Sequence, residues 1–229
     1  MTSINFSKNH VIKNINPEEF KILTPHMKYL YFKPGELSEQ RNPNEFFMYF
    51  VLSGIFALTI QVDKLDKAFV LLGHDFMLDC SMPYDNGMDV IRIRCLSPLT
   101  TYALPAHIAQ TLLPNLPSFQ KAMATANRNL FMKIARATAC SQTHTSNQRL
   151  AQWLLRASDL IENPRIAISH QVLAQLLGIW RAGATVELAK LKASNAISTG
   201  YGWIEIKDRH ALEQHACSCY RAHSAVFIP

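Results

Sequence analysis

The sequence predicts an α+β chain: an antiparallel roll of strands, then one long helix, then a pair of short helices closed by a glycine-tipped hairpin. Three observations carry that expectation. Residues 28–104 hold a succession of short runs rich in branched and aromatic side chains. From Ser118 onward, apolar residues recur at helical spacing. Residues 169–203 then alternate helix, turn and hairpin signals within a short span.

In the first part, Pro17-Glu-Glu-Phe opens a short helix expected to reach Met27, and Tyr29-Leu-Tyr-Phe runs into a turn at Pro34-Gly35. Strands are expected at 45–52, 55–62, 67–72, 90–95 and 100–104, with a polar turn at 63–66. Their alternation between faces suits an antiparallel roll or barrel. Pro105, Pro114 and Pro117 punctuate the chain before a helix expected from Ser118 to about Thr138. Met123, Leu130 and Ile134 give it a narrow apolar seam, which suits either pairing with a second copy of itself or packing on its own roll. A second helix, over 147–160, carries Leu150, Trp153, Leu154 and Leu155 and opens the C-terminal part.

The stretch 169–203 is the most informative. Ser169 can accept backbone N–H bonds and cap a helix whose apolar residues Val172, Leu173, Leu176 and Leu177 share one side. Gly178 stands where the chain must leave that helix, because glycine tolerates positive φ, and Ile179 plugs the corner. A second helix, over about 180–195, turns Ala184, Leu188 and Leu191 inward. Arg181, Ala182, Thr185, Glu187 and Lys192 are then expected to face outward. Small residues at 182–185 allow close approach to a groove, and Arg181 is placed to reach a guanine edge or a phosphate. Ser169, with His170 and Gln171, suits phosphate oxygens. Thr185 joins Arg181 in reading base edges, and a wing at 198–203, with Thr199 and Tyr201, adds backbone contacts. An ordinary helical hairpin with a solvated outer face fits the periodicity as well. The glycines at 200 and 202, which tip a hairpin straight after it, favour double-stranded DNA as the partner.

Lys33-Pro34-Gly35-Glu36, Phe50-Val51-Leu52-Ser53-Gly54, Leu173-Ala174-Gln175-Leu176-Leu177-Gly178, Asp208-Arg209 through Leu212, and Ala216-Cys217-Ser218-Cys219-Tyr220 follow one another along the chain. In this order the chain resembles the Crp/Fnr family of bacterial transcription regulators over nearly its whole length. The resemblance implies a cyclic-nucleotide-binding-like jelly roll over 1–117, a dimerisation helix over 118–140 and a winged helix-turn-helix over 141–229. It also implies a homodimer on a twofold-symmetric site, and RNA polymerase as a candidate partner. Two rival readings stay open: a sensor gated by a small effector in the roll, and a protein-interaction module with a disabled helix-turn-helix.

The departures from the family bear on ligands. Cyclic-nucleotide-binding members carry Gly-Glu for the ribose and an arginine for the phosphate. Aligned here, Met77-Leu78 and Asp89-Val90 take those places. A carboxylate repels a phosphate, and Met and Leu accept no ribose hydrogen bond, so a cyclic nucleotide is not expected. Arg92 and Arg94 share one strand face, expected to be solvated or salt-bridged. The recognition helix of the best-known members opens with Arg-Glu and carries a second arginine, where this chain has Ala182 and Val186, so their target sequence does not transfer.

Five cysteines stand at 80, 95, 140, 217 and 219, an odd set suited to a reducing compartment. None precedes Cys80, which disfavours the family's N-terminal iron–sulfur cluster. His26, His74 and His107 are isolated, so no haem ligand is assigned. Near the C-terminus, His210, His215, Cys217, Cys219 and His223 cluster. Were 209–223 one helix, His215, Cys219 and His223 would share a side and could face zinc or copper, or simply cover the domain. With no fourth ligand in view, no metal and no cofactor is assigned.

The chain has 229 residues, enough for two modest domains, and a formal charge of +6 that mildly favours polyanions. The N-terminus lacks a signal-peptide core, and the richest apolar run, 46–58, is too short and too broken to span a membrane. A soluble, cytoplasmic protein is expected. There is no Gly-x-Ser-x-Gly, Walker loop or His-Glu-x-x-His, so no enzyme is expected.

Overall fold

The computed structural model describes residues 8–36, 47–62, 65–78 and 91–224. Asp89-Val90, where the phosphate-binding arginine was sought, lies outside them. The helices are α1 (Pro17–Leu23), α2 (Ala106–Leu112), α3 (Pro117–Thr143), α4 (Ser146–Ile161), α5 (His170–Leu177), α6 (Arg181–Ala193), α7 (Arg209–His215) and α8 (Cys219–Ser224). The strands are β1 (Lys28–Phe32), β2 (Phe47–Ser53), β3 (Phe56–Val62), β4 (Leu65–Leu72), β5 (Met77–Leu78), β6 (Ile91–Cys95), β7 (Leu99–Pro105), β8 (Arg165–Ala167), β9 (Ile197–Gly200) and β10 (Trp203–Ile206). They form sheets ordered β1-β7-β2-β5, β4-β3-β6 and β8-β10-β9. The chain divides into two compact units, residues 1–56 with 72–131, and residues 57–71 with 132–229.

In the first unit, β2 and β7 pair antiparallel, Tyr49 opposite Ala103, and bury Met48, Phe50, Ala103 and Leu104 completely. This is the antiparallel roll expected from the run of branched and aromatic residues. Asn9 is fully buried there. Its amide donates to the carbonyls of Val51 and Phe76, both at 2.9 Å, and its carbonyl accepts from the N–H groups of Val11 and Ile12. A buried amide so satisfied stitches the N-terminal turn to β2 at little desolvation cost. The start of α3 is held by Glu19, whose carboxylate accepts from the N–H groups of Ser118 (3.1 Å) and Phe119 (3.0 Å).

In the second unit, α4 opens with a capping box: Thr145 Oγ1 accepts from Gln148 N, and Gln148 Oε1 accepts from Thr145 N at 3.0 Å. Its apolar face buries Leu150, Leu154 and Leu155. Asp159, on the same helix, takes the Arg209 guanidinium at 2.6 Å and the Tyr220 hydroxyl at 2.8 Å, and Arg209 also bonds that hydroxyl. Burial first, and then the bond to Asp159, push the Tyr220 phenol up to about 12. The phenol therefore stays a donor.

The condition for His215, Cys219 and His223 to share one helical side is not met. Residues 209–223 do not form one helix: α7 ends at His215, Ala216 is extended (φ −75°, ψ 149°), and α8 starts at Cys219. His215, Cys219 and His223 therefore do not recur along one helical face. The break turns Cys217 inward, where it is 5% exposed, and an apolar thiol at that step gains more from burial than the helix gains from continuing.

Candidate nucleic-acid interface

The candidate surface is built by α5, α6 and the β9–β10 wing. Ser169 is the N-cap of α5, its hydroxyl accepting from Val172 N at 3.3 Å. Gly178 ends the helix at φ 65°, ψ 33°, and the turn closes with Gly178 N donating to Gln175 O and Ile179 N to Ala174 O at 3.0 Å. A side chain at Gly178 would meet nothing within 4 Å, so only the backbone conformation demands glycine. Gly178→Ala is expected to lower stability by about 1–2 kcal/mol, read as a shift of the denaturant midpoint without a change in slope.

Across that turn, α6 buries Ala184, Leu188 and Leu191, each at 2% exposure or less, as their spacing predicts. Arg181 and Ala182 stand exposed in its first turn, with Thr185 and Val186 exposed one turn on. The Arg181 guanidinium has no hydrogen-bond or ion-pair partner among the described residues. Thr185 Oγ1 donates to Arg181 O at 3.1 Å and lies 3.3 Å from His170 Nδ1, so this pair from α5 and α6 is brought together. Ser169 and Gln171 are exposed beside them, and His170 is half-buried.

Glu187 does not face outward freely: it is half-buried, accepting from Asn147 Nδ2 at 3.0 Å and pairing with Lys190 at 2.9 Å. It fastens α6 to α4. Lys192 is exposed as expected.

The wing places Thr199 opposite Ile204 and Gly200 opposite Trp203, with Tyr201 fully exposed at the tip. A Cβ at Gly200 would come within 2.3 Å of the Trp203 ring, so the bare backbone is what lets the indole lie across the hairpin. The Arg165 guanidinium covers that ring, 3.9 Å from its centroid.

The sequence reading passed over Trp180, which is 88% exposed at the N-cap of α6. Tryptophan makes no side-chain cap, and a residue that neither caps nor packs was the available signal. Two large exposed aromatics, Trp180 and Tyr201, thus accompany Arg181 and Thr185.

Among its described residues the roll contributes no comparable set. Met77, at one of the nucleotide-contact places, is fully buried opposite Phe50, and the side chains of Leu78 and Arg92 lie outside the described residues. Arg94 is half-buried with a partner of its own. His26 and His107 are exposed, and the His74 ring meets His10 edge-on at 5.3 Å.

Residues 148–215 match the model of the Crp-like helix-turn-helix domain. This part of the chain is a Crp-like helix-turn-helix domain. Over most of its length the chain has the fold of several solved structures. A protein from Eubacterium rectale assigned to the Crp/Fnr family of transcriptional regulators superposes with TM-score 0.69, at 16% identity over 91% of this chain and 98% of its own. The c-di-GMP-responsive global regulator CLP of Xanthomonas campestris gives 0.67, at 15% identity over 84% of this chain and 100% of its own. A Crp-family transcriptional regulator from Thermus thermophilus gives 0.64, at 18% identity, covering 82% and 96%. No curated protein matches the chain. Among the described residues, no helix is long and apolar enough to cross a membrane.

Proposed function

We propose that the chain is a Crp/Fnr-type transcription regulator of the cytoplasm that binds duplex DNA as a homodimer, one recognition helix in each of two successive major grooves of a twofold-symmetric site. The observation that carries this is the Arg181 guanidinium, exposed and without a partner among the described residues at the open end of α6, next to small Ala182. Arg181 and Thr185 read base edges. Ser169, His170 and Gln171 hold phosphates on one side, and Thr199 with Tyr201 at the wing holds them on the other. Dimerisation runs through α3, where Phe131 is 69% and Met132 39% exposed, apolar surface that a second copy would cover. Met77 in the core supports a roll that does not hold cyclic nucleotide in the family's usual way.

The test is selection of bound sequences from a random duplex pool, with and without cell extract, paired with sedimentation of the free protein. The expected outcome is a palindromic consensus bound by a dimer, with an affinity whose logarithm falls linearly against the logarithm of salt concentration. Affinity for no duplex at low salt would leave a protein-interaction module instead.

A further inference from the structure

We infer that Cys140, His144, Cys217 and Cys219 form a structural zinc site, joining the end of α3 to the segment between α7 and α8. The inference is independent of the DNA reading. The four donor atoms all lie within 4.8 Å of one another, and among the described residues no other set of three or more histidine, cysteine or acidic side chains converges so. Cys140 Sγ and Cys217 Sγ are 3.6 Å apart, and Cys219 Sγ is 3.8 Å from His144 Nδ1. A tetrahedral zinc ion with bonds of about 2.3 Å to sulfur and 2.0–2.1 Å to nitrogen requires edges of about 3.8 Å between sulfurs and about 3.6 Å between sulfur and nitrogen. The two observed pairs lie within about 0.2 Å of those lengths, and the widest separation of the set, no more than 4.8 Å, closes to a tetrahedral edge with a shift of about 1 Å. Donors this close leave room for one ion and not for a multinuclear cluster.

The backbone explains the convergence. His144 N donates to Cys140 O at 3.0 Å, so the two side chains stand one helical turn apart on one face. Across from them, extended Ala216 and the tight turn in which Tyr220 N donates to Cys217 O bring Cys217 and Cys219 to the same point. Tyr220, anchored on Asp159, holds that turn against α4. Cys140 and Cys217 are buried while His144 and Cys219 are half-buried, giving a closed site with an entry side. Thr143 Oγ1 donates to Ala139 O at 2.8 Å and lies 3.2 Å from His144 Nδ1, which offers its lone pair to the ion in the tautomer protonated at Nε2.

Three thiolates, an imidazole and no open position make a structural rather than a catalytic centre, and soft ligands in this geometry select zinc. Binding releases three thiol protons to solvent and ligates neutral imidazole. The resulting single negative charge falls beside Arg136, which acts electrostatically on Cys219. A Cys140–Cys217 disulfide, by contrast, would use two of the four donors and leave the Cys219 thiol and the imidazole unexplained.

The full chain, produced with zinc or cobalt in the medium and purified under reducing conditions, is to be assayed by elemental analysis, visible absorption and thermal unfolding. The expected result is about one zinc per chain, and for the cobalt form the intense bands of a tetrahedral thiolate complex. Chelation should lower the melting temperature and added zinc restore it. Cys219→Ser and His144→Ala, both at half-buried positions, should lose the metal and the zinc-dependent shift while still unfolding cooperatively. Folded, reduced protein without zinc or a cobalt–thiolate spectrum would overturn the site. So would undiminished zinc in both variants, or a Cys140–Cys217 disulfide in protein from reducing cells. Iron or copper in place of zinc would overturn the assignment of the ion.

Discussion

Arg181→Ala is expected to weaken binding to the selected duplex by about 1–3 kcal/mol, about five- to 150-fold, and to flatten discrimination at one base position in each half-site. The reason is geometric. Arg181 is the first residue of α6, its guanidinium has no partner among the described residues, and its neighbour Ala182 offers no bulk to hold the helix off the groove floor. A guanidinium presents two parallel donors to the two acceptors of guanine, which an ammonium does not. Arg181→Lys therefore separates base reading from charge: it should stay weak at the selected site while recovering affinity for unrelated duplex. Anisotropy titrations of both variants on selected and scrambled duplexes check this, and equal affinity of wild type and Arg181→Ala for the selected site would remove the assigned role.

Leu191→Ala is expected to destabilise the second unit by about 2–5 kcal/mol. Leu191 is fully buried on α6, and its carbonyl receives Ala196 N at 3.2 Å where the chain leaves for the wing. Truncation removes buried methyl groups at the junction of the recognition helix and the hairpin, which cannot collapse without moving one against the other. All three tryptophans, Trp153, Trp180 and Trp203, lie in this unit, so denaturant unfolding followed by their fluorescence reports on it directly. Val186→Ala, at a position 54% exposed on the same helix, should change stability by no more than about 0.5 kcal/mol. Equal losses for the two would show that α6 is not packed as described.

The helix-turn-helix was legible residue by residue because its signals are local. The Ser169 cap, the Gly178 turn and the spacing of Ala184, Leu188 and Leu191 each act within one or two turns of chain. The Thr145–Gln148 capping box was equally legible as Thr-x-x-Gln, and reading it would have started α4 at Ser146 rather than 147. The fate of Glu187 was not legible. Its outward heptad position is overridden by Asn147 of α4, a partner 40 residues away. Asn9 likewise gave no local sign of the two buried hydrogen bonds that its amide donates, because the carbonyls it serves come from β2 and from Phe76.

The order of amino acids alone pointed to the main strands of the roll, to α3–α6 and to the wing, and to which side of α5 and α6 is apolar, since periodicity and capping are decided by near neighbours. Folding in three dimensions settled which distant side chains meet. A helix continued through 216 would have scattered the C-terminal cysteines along its length. The packing of Cys217 into the unit, with Tyr220 tied to Asp159, breaks that helix and delivers two thiols to Cys140 and His144. Burial and through-space hydrogen bonds outweigh a few residues' worth of helical propensity, and no window of sequence contains both halves of that balance.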